Sequence, residues 1–182
     1  LDSRDTRLAK LDALSSKFAC ILLATAGLVR LGLGHRITQR LDPEIFPYAV
    51  GQGALGIETS TDRHDILDIV RHADHRPSRW RGLAERAMLR TLQGGCSSPV
   101  GVYSTFVPNA EETETKGALR FYNGTLCLHV TVLDIDGKGE VSAHRESIVV
   151  DDEGAEKLGV EVAAILSKEG AQNLLAKHTG VS

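Results

Sequence analysis

The feature that most constrains the fold lies in the second half of the chain. Three β-rich runs, Val100 to Val107, Thr125 to Leu133 and Glu140 to Val150, are rich in Val, Leu and Thr. Asn123-Gly124 precedes the second run, and Asp136-Gly137-Lys138-Gly139 separates the second from the third. Asn-Gly and Asp-Gly supply the backbone conformations that tight hairpin turns require. The pattern predicts an antiparallel meander, with the acidic, polar stretch Asn109 to Lys116 as a loop insertion. Glu153 to Lys168 then places Leu158, Val162, Ile165 and Leu166 at helical spacing; Gly170 punctuates it, and Ala171 to Lys177 forms a last short helix. This half is predicted to be α+β, a small three-stranded antiparallel sheet with helices on one side.

The first half follows a different rhythm. Asp5 to Leu14 carries Leu8, Leu11 and Leu14 at the spacing of an amphipathic helix. Phe18 to Ala24 is continuously apolar, as in a strand covered on both faces. Thr25 to Leu33 reads as a short helix whose start Thr25 can cap. Helix, buried strand and helix together are the grammar of an α/β layer. Pro43 and Pro47 bracket a connection, and Tyr48 to Glu58, with three glycines among small and apolar residues, reads as a strand approached closely by another group. Asp62 to Ala73 is a further helix. Pro77 opens a longer one over Ser78 to Leu92, with Leu83, Ala87 and Leu92 inward. A boundary falls near Arg76-Pro77.

Composition narrows the function classes. Hydrophobic residues make up 42% and aromatics only 4%, so the core is built from Leu, Val, Ile and Ala. A net charge of -3 argues against a protein whose main work is wrapping nucleic acid. No apolar run approaches the ~20 residues needed to span a bilayer. Three cysteines and no visible export signal point to a reducing, cytoplasmic setting. The chain begins at Leu1 and its only methionine is Met88, so it is expected to be the C-terminal part of a longer polypeptide.

Several motifs carry competing readings. Val50 to Gly56 is glycine-rich but lacks the P-loop Lys-Ser/Thr, so it reads as backbone packing rather than a phosphate cradle. Asp134-Ile135-Asp136-Gly137 fits a hairpin turn better than a calcium loop. His64, His72 and His75 do not have the spacing of a tight helical metal pair, and no metal site is expected. Cys20 and Cys127 lie in apolar runs and read as small core residues. Cys96 differs: Gly94 and Gly95 precede it, and Ser97, Ser98 and Pro99 follow, which is the chemistry of an exposed loop. It is either an idle reduced thiol or a reactive one, and nearby arginines favour the thiolate. Arg7, Arg30 and Arg86 are either solvated charges or, if they converge, a site for a ligand with several carboxylates.

The run Glu85-Arg86-Ala87-Met88-Leu89-Arg90-Thr91-Leu92-Gln93-Gly94-Gly95-Cys96-Ser97-Ser98-Pro99-Val100-Gly101 closely resembles the cofactor-attachment signature of the porphobilinogen deaminase (hydroxymethylbilane synthase) family. Three further stretches agree in the same order: Thr6 to Asp12, Ile21 to Gly32, and Tyr48 to Glu58. The resemblance implies a transferase of haem biosynthesis that condenses four porphobilinogen molecules, with loss of ammonia, into hydroxymethylbilane. It implies a dipyrromethane cofactor held by a thioether to Cys96, a bond that a soft thiolate is suited to form. Gly95, Gln52 and Gly53 are the implied cofactor contacts. Arg7, Arg30 and Arg86 are implied to bind the acetate and propionate groups of porphobilinogen and the growing oligopyrrole. No nucleic-acid or membrane partner is implied, and the full-length form is expected to be a monomer.

The family's fold implies that residues 1–47 finish the second of two periplasmic-binding-protein-like α/β domains. Residues 48–76 then return to the first, and residues 77–182 form the third domain. Two departures stand out. Leu1-Asp2-Ser3-Arg4-Asp5 replaces the usual Arg-Gly-Asn before the Thr-Arg-Leu motif, and Ser98 stands where the signature prefers Ile, Val or Thr. The family's proton-handling aspartate falls in an N-terminal half outside this sequence, so no catalytic acid is assigned here and the chain alone is expected to be inactive. The competing reading is a non-catalytic paralogue or a carboxylate-binding module.

Overall fold

The computed structural model describes residues 4–95, 98–109 and 123–179. The chain divides into two compact units, Leu1–Asp42 and Pro43–Ser182.

In the second unit the meander forms with Asp136-Gly137 at the turn between its second and third strands, whereas Asn123-Gly124 is not the tight turn its sequence suggests: Gly124 lies within a strand, opposite Pro108 and Val149. Strands β1 (Val100–Pro108), β2 (Gly124–Leu133) and β3 (Glu140–Val149) make one antiparallel sheet in the order β1-β2-β3. Val102 pairs with Val130, and Val130 with Ala143, which fixes the register across all three strands. Gly137, in the β2–β3 turn, has φ +66, the left-handed region that its Asp-Gly context anticipates. Helices α4 (Arg76–Thr91), α5 (Asp152–Lys168) and α6 (Ala171–Thr179) cover one face of the sheet. Pro77 sits in the first turn of α4, where its missing N–H costs nothing. Asp151 caps α5 by accepting the Gly154 N–H at 2.8 Å.

The core lies between this sheet face and the helices. Val102, Leu126, Leu128, Val130, Val132 and Val149 meet Trp80, Ala84 and Met88 of α4 and Leu158, Val162 and Leu166 of α5. Trp80 is 1% exposed, donates from its indole N–H to Asp152 at 2.9 Å, and lies 5.6 Å from the Phe106 ring. Gly159 lets α5 approach α4 closely: a Cβ placed there would stand 2.1 Å from the Ala84 carbonyl oxygen. The opposite sheet face carries Tyr103, His129 and His144 in one cross-strand row.

A shorter helix, α3 (His64–Arg71), precedes α4 and buries none of its side chains fully. In the first unit, α1 (Arg4–Asp12) buries Leu8, and α2 (Thr25–Arg30) buries Gly27 and Leu28. An ion pair of 2.6 Å joins Asp12 to Arg36. Gly32, at φ +72, ends α2: its N–H reaches the Val29 carbonyl and the Leu33 N–H reaches that of Leu28, a Schellman closure.

Four further sequence expectations are corrected. Phe18 to Ala24 is irregular rather than a buried strand, with Phe18 and Leu22 exposed. An apolar run becomes a strand only where neighbours satisfy its N–H and C=O groups, and none of the described residues of this unit pairs with it. Thr25 opens α2 as its first residue instead of capping it; Ala24 is the cap and makes no side-chain bond. Tyr48 to Glu58 is a single antiparallel bridge, Tyr48 to Val102, followed by a turn. Its glycines serve that turn, since Gly51 and Gly53 have φ of +71 and +82 and nothing lies within 4 Å of a Cβ built on either. Cys20 is exposed and Cys127 half-buried on the uncovered sheet face, so neither is a core residue.

Candidate functional site

The elements that carry the candidate residues are set by local chemistry. Arg7 lies in the middle of α1 and Arg30 in the last turn of α2, both exposed. In the second unit Arg86 is exposed on α4, next to the buried Glu85. Most other arginines are neutralised by carboxylates close at hand: Arg36 by Asp12, Arg63 by Asp65, Arg71 by Asp68, Arg79 by Asp74 and Asp152, Arg90 by Glu156, and Arg145 by Glu161. Among the described residues no carboxylate pairs with Arg7, Arg30 or Arg86, a condition they share with Arg40 and with Arg81, which donates to the Ser104 hydroxyl instead. A guanidinium left without an internal partner keeps its planar fork of donors for an external carboxylate.

Cys96 and Ser97 lie outside the described residues, but both flanks are described. Helix α4 ends in a Schellman closure, the Gln93 N–H bonding to the Arg90 carbonyl and the Gly94 N–H to that of Leu89, each at 3.0 Å. Gln93 occupies the left-handed position, at φ +57, where glycine is the usual residue. At Gly94 a Cβ would meet Leu89 Cδ1 at 2.5 Å, so any side chain there would displace the Leu89 methyl. Gly95 and Ser98 hold each other: the Ser98 N–H donates to the Gly95 carbonyl at 3.0 Å, and the Gly95 N–H donates to Ser98 Oγ at 2.8 Å. Ser98, the departure from the family signature, thus supplies a hydrogen bond that Ile or Val cannot.

The glycine turn is anchored by Val50, which packs against the core, and by hydrogen bonds at two points. Tyr48 exchanges backbone bonds with Val102 of β1, at 2.9 and 2.7 Å. The Gly51 N–H donates to Glu85 Oε2 at 2.8 Å. Between these anchors and Ala54, the Gln52 N–H bonds to the Ala49 carbonyl and the Ala54 N–H to that of Gly51. Gln52 and Gly53 are exposed at the tip. Glu85, which sequence reasoning missed, is 7% exposed and also accepts from Ser104 Oγ at 2.5 Å. Ser104 in turn accepts from Arg81 Nε at 2.9 Å. The available signal was positional, since Glu85 lies between the small residues Ala84 and Ala87 and three before Met88, on the inward side of the helix.

The other cysteines are poor nucleophiles or unremarkable in their surroundings. Burial, reinforced by the Glu146 carboxylate, pushes the Cys127 thiol up from its ordinary value. Its Sγ lies 3.2 Å from His129 Nε2. Among the described residues no group of three His, Cys, Asp or Glu side chains is arranged to hold a metal ion. Nor, among them, is any helix long and apolar enough to cross a membrane.

Sheet, helices and the flanking unit define a mixed α/β protein with a three-stranded antiparallel sheet. Two family models match it. One, described as porphobilinogen deaminase, dipyromethane cofactor binding domain, covers residues 3–68. The other, porphobilinogen deaminase, C-terminal domain, covers residues 80–168. The chain is 40% identical over 173 residues to the porphobilinogen deaminase of Schizosaccharomyces pombe, which is 95% of this chain and 48% of that protein. It is 43% identical over 172 residues to the Synechococcus enzyme, 94% of this chain and 48% of that one. It is also 46% identical over 171 residues to that of Eremothecium gossypii, 93% of this chain and again 48% of the relative. The chain belongs to the porphobilinogen deaminase family. It spans about half the length of these curated relatives.

Proposed function

We propose that this chain is the part of a hydroxymethylbilane synthase that anchors the growing pyrrole chain and grips its carboxylates. In this reading Cys96 bears a dipyrromethane cofactor through a thioether. The reaction condenses four porphobilinogen molecules with release of ammonia. The observation that carries the reading is electrostatic: Arg7, Arg30 and Arg86, the positions singled out by resemblance, have no carboxylate partner among the described residues, whereas Arg36, Arg63, Arg71, Arg79, Arg90 and Arg145 do. Each bound pyrrole brings two carboxylates, and such a ligand needs unsatisfied guanidinium groups.

The residues present fit the cofactor. Beside Gly51, Gly53 and Gly95, no described residue other than the chain neighbours lies within 4 Å of where a Cβ would stand, so backbone there is open to an aromatic ring. When bound, the dipyrromethane supplies the nucleophilic pyrrole carbon from which elongation starts. Cys96 holds it by a carbon–sulfur bond, and Gly95 keeps bulk away from that sulfur. Gln52 and Gly53 present polar backbone and a carboxamide at the tip of the anchored turn. Arg7, Arg30 and Arg86 neutralise carboxylates as the oligopyrrole lengthens. A reducing cytoplasm keeps the thiol available, and the ligands are porphobilinogen and its oligomers, not nucleic acid or membrane.

We assign residues 1–47 to the end of the second periplasmic-binding-protein-like domain, 48–76 to a return into the first, and 77–182 to the third, in a protein that works as a monomer. The proton-transfer aspartate belongs to the other half of such a protein, so these 182 residues alone do not turn over porphobilinogen. The test is a chimera joining the N-terminal half of the Schizosaccharomyces pombe relative to this chain. The chimera should consume porphobilinogen and release ammonia, and the chain by itself should not. An inactive, well-folded chimera defeats the reading, leaving the non-catalytic carboxylate-binding module; turnover by the chain alone defeats the claim of inactivity.

A further inference from the structure

We infer that Glu85 is the positioning residue for the Gln52–Gly53 tip, acting through the Gly51 amide. The inference rests on the reading above, in which that tip contacts the pyrrole chain. Glu85 is a buried carboxylate whose two oxygens have separate tasks. Oε1 takes the Ser104 hydroxyl at 2.5 Å, tying α4 to β1, and Oε2 takes the Gly51 N–H at 2.8 Å, tying α4 to the turn. Arg81 Nε donates to the same Ser104 oxygen at 2.9 Å, so the hydroxyl has its acceptor role filled and points its own proton at Glu85. The carboxylate is therefore fixed before the turn reaches it.

What Glu85 fixes is the stretch beyond Val50, the last side chain of the turn that packs against the core. Past the Tyr48–Val102 bridge, Gly51 and Gly53 are both in the left-handed region, and Gly51, Gly53 and Gly56 have no packing neighbour within 4 Å of a built Cβ. Glycines at such positions leave many alternative backbone paths open. One charge-assisted bond from a rigid helix selects among them. Because Glu85 adjoins Arg86 on α4, the same helix sets the tip and carries a carboxylate-binding guanidinium. Glu85 touches no reacting atom; it positions the residues that do the binding.

Two conservative variants separate reach from charge. Glu85→Gln keeps the length and an acceptor oxygen for Gly51 but loses the charge. Glu85→Asp keeps the charge and withdraws the oxygens by about one C–C bond, ~1.5 Å. Hydrogen exchange of the Gly51 amide is read by NMR on the whole 182-residue chain. Exchange should accelerate roughly tenfold or more in the Asp variant, as expected for loss of a bond to a charged acceptor, and by clearly less in the Gln variant, which keeps a neutral bond in place of the charge-assisted one. Adding preformed hydroxymethylbilane should shift the Gln52 and Gly53 signals in wild type and Glu85→Gln, with affinity about tenfold weaker in Glu85→Asp.

Equal Gly51 exchange in all three proteins, or an Asp variant closer to wild type than the Gln variant, overturns the inference. Altered exchange with unchanged tetrapyrrole affinity shows a clamp that positions nothing, and also overturns it. If hydroxymethylbilane shifts no signal in wild type, the functional reading fails and the role given to Glu85 fails with it, whatever the Gly51 exchange order. Ser104→Ala, which removes the bond that fixes the carboxylate, serves where either Glu85 variant does not fold: Gly51 exchange should rise severalfold, and unchanged exchange overturns the assignment.

Discussion

Adding one methyl group at Gly159 should have the opposite effect from adding it at Gly82, although both glycines lie inside helices. Alanine is favoured over glycine in a helix interior by about 1 kcal/mol. At Gly82 on α4 nothing lies within 4 Å of the new Cβ, so the full gain should appear. At Gly159 on α5 the Cβ would stand 2.1 Å from the Ala84 carbonyl oxygen and 2.9 Å from the Met88 nitrogen. Ordinary contact begins near 3.4 Å, and the obstructing atoms are helix backbone that cannot rotate aside. The two helices must separate by more than about 1 Å, loosening Ala84, Met88, Val162 and Ala163. Overpacking of this kind costs about 3 kcal/mol. Subtracting the propensity gain leaves a net loss of about 2 kcal/mol. That corresponds to a Tm lower by about 4–8 °C, against a rise of about 2–4 °C for Gly82→Ala.

The single tryptophan makes the assay specific. Trp80 lies on α4, 1% exposed, so its fluorescence during urea or thermal unfolding reports the unit that contains both helices. Gly159→Ala should shift the transition down and Gly82→Ala up under identical conditions. A Gly159→Ala protein as stable as Gly82→Ala would refute the close approach of α4 and α5, and with it the placement of the helix that carries Glu85 and Arg86.

Three shorter predictions follow from the site. Gln93→Gly should stabilise by ~0.5–1 kcal/mol, because a left-handed residue with a Cβ costs about 1–2 kcal/mol and glycine returns part of that through unfolded-state freedom; an unchanged urea midpoint would contradict the Schellman closure. At pH 8, iodoacetamide should modify Cys127 more slowly than the exposed Cys20, since burial and Glu146 keep the Cys127 thiol protonated; peptide mass mapping over time gives the rates, and equal rates would contradict the assigned surroundings. In the chimera, Arg86→Leu should weaken binding of porphobilinogen or its oligomers by about tenfold or more with little change in stability, because no internal ion pair is lost; unchanged elongation kinetics would remove Arg86 from the site.

The parts of the fold that were legible in the sequence are those whose partners are close along the chain. Asp136-Gly137 fixes the β2–β3 hairpin, and the Leu158, Val162, Leu166 spacing fixes the buried face of α5, so β1 to α6 emerge nearly where expected. Phe18 to Ala24 misled because apolar composition states what a strand needs to bury, not whether neighbouring strands exist to accept it. Tyr48 to Glu58 misled in a related way: Gly51 and Gly53 meet the left-handed geometry of a turn, and no described group of this chain packs against them as a neighbouring strand would. Arg7, Arg30 and Arg86 were legible as candidates, but their lack of internal carboxylate partners was visible only in three dimensions. Glu85 was hidden because a charged residue on a helix reads as solvated until a distant hydroxyl and a distant amide turn toward it.

The proposed anchor is the sulfur of Cys96, and the most direct measurement is the mass of the peptide that contains it, taken from the purified chimera after proteolysis. The prediction is an increment equal to a dipyrromethane on the Cys96 peptide, none on the peptides of Cys20 or Cys127, and loss of the increment in Cys96→Ser. A bare Cys96 peptide from a chimera that still elongates porphobilinogen, or the increment on another cysteine, would contradict it.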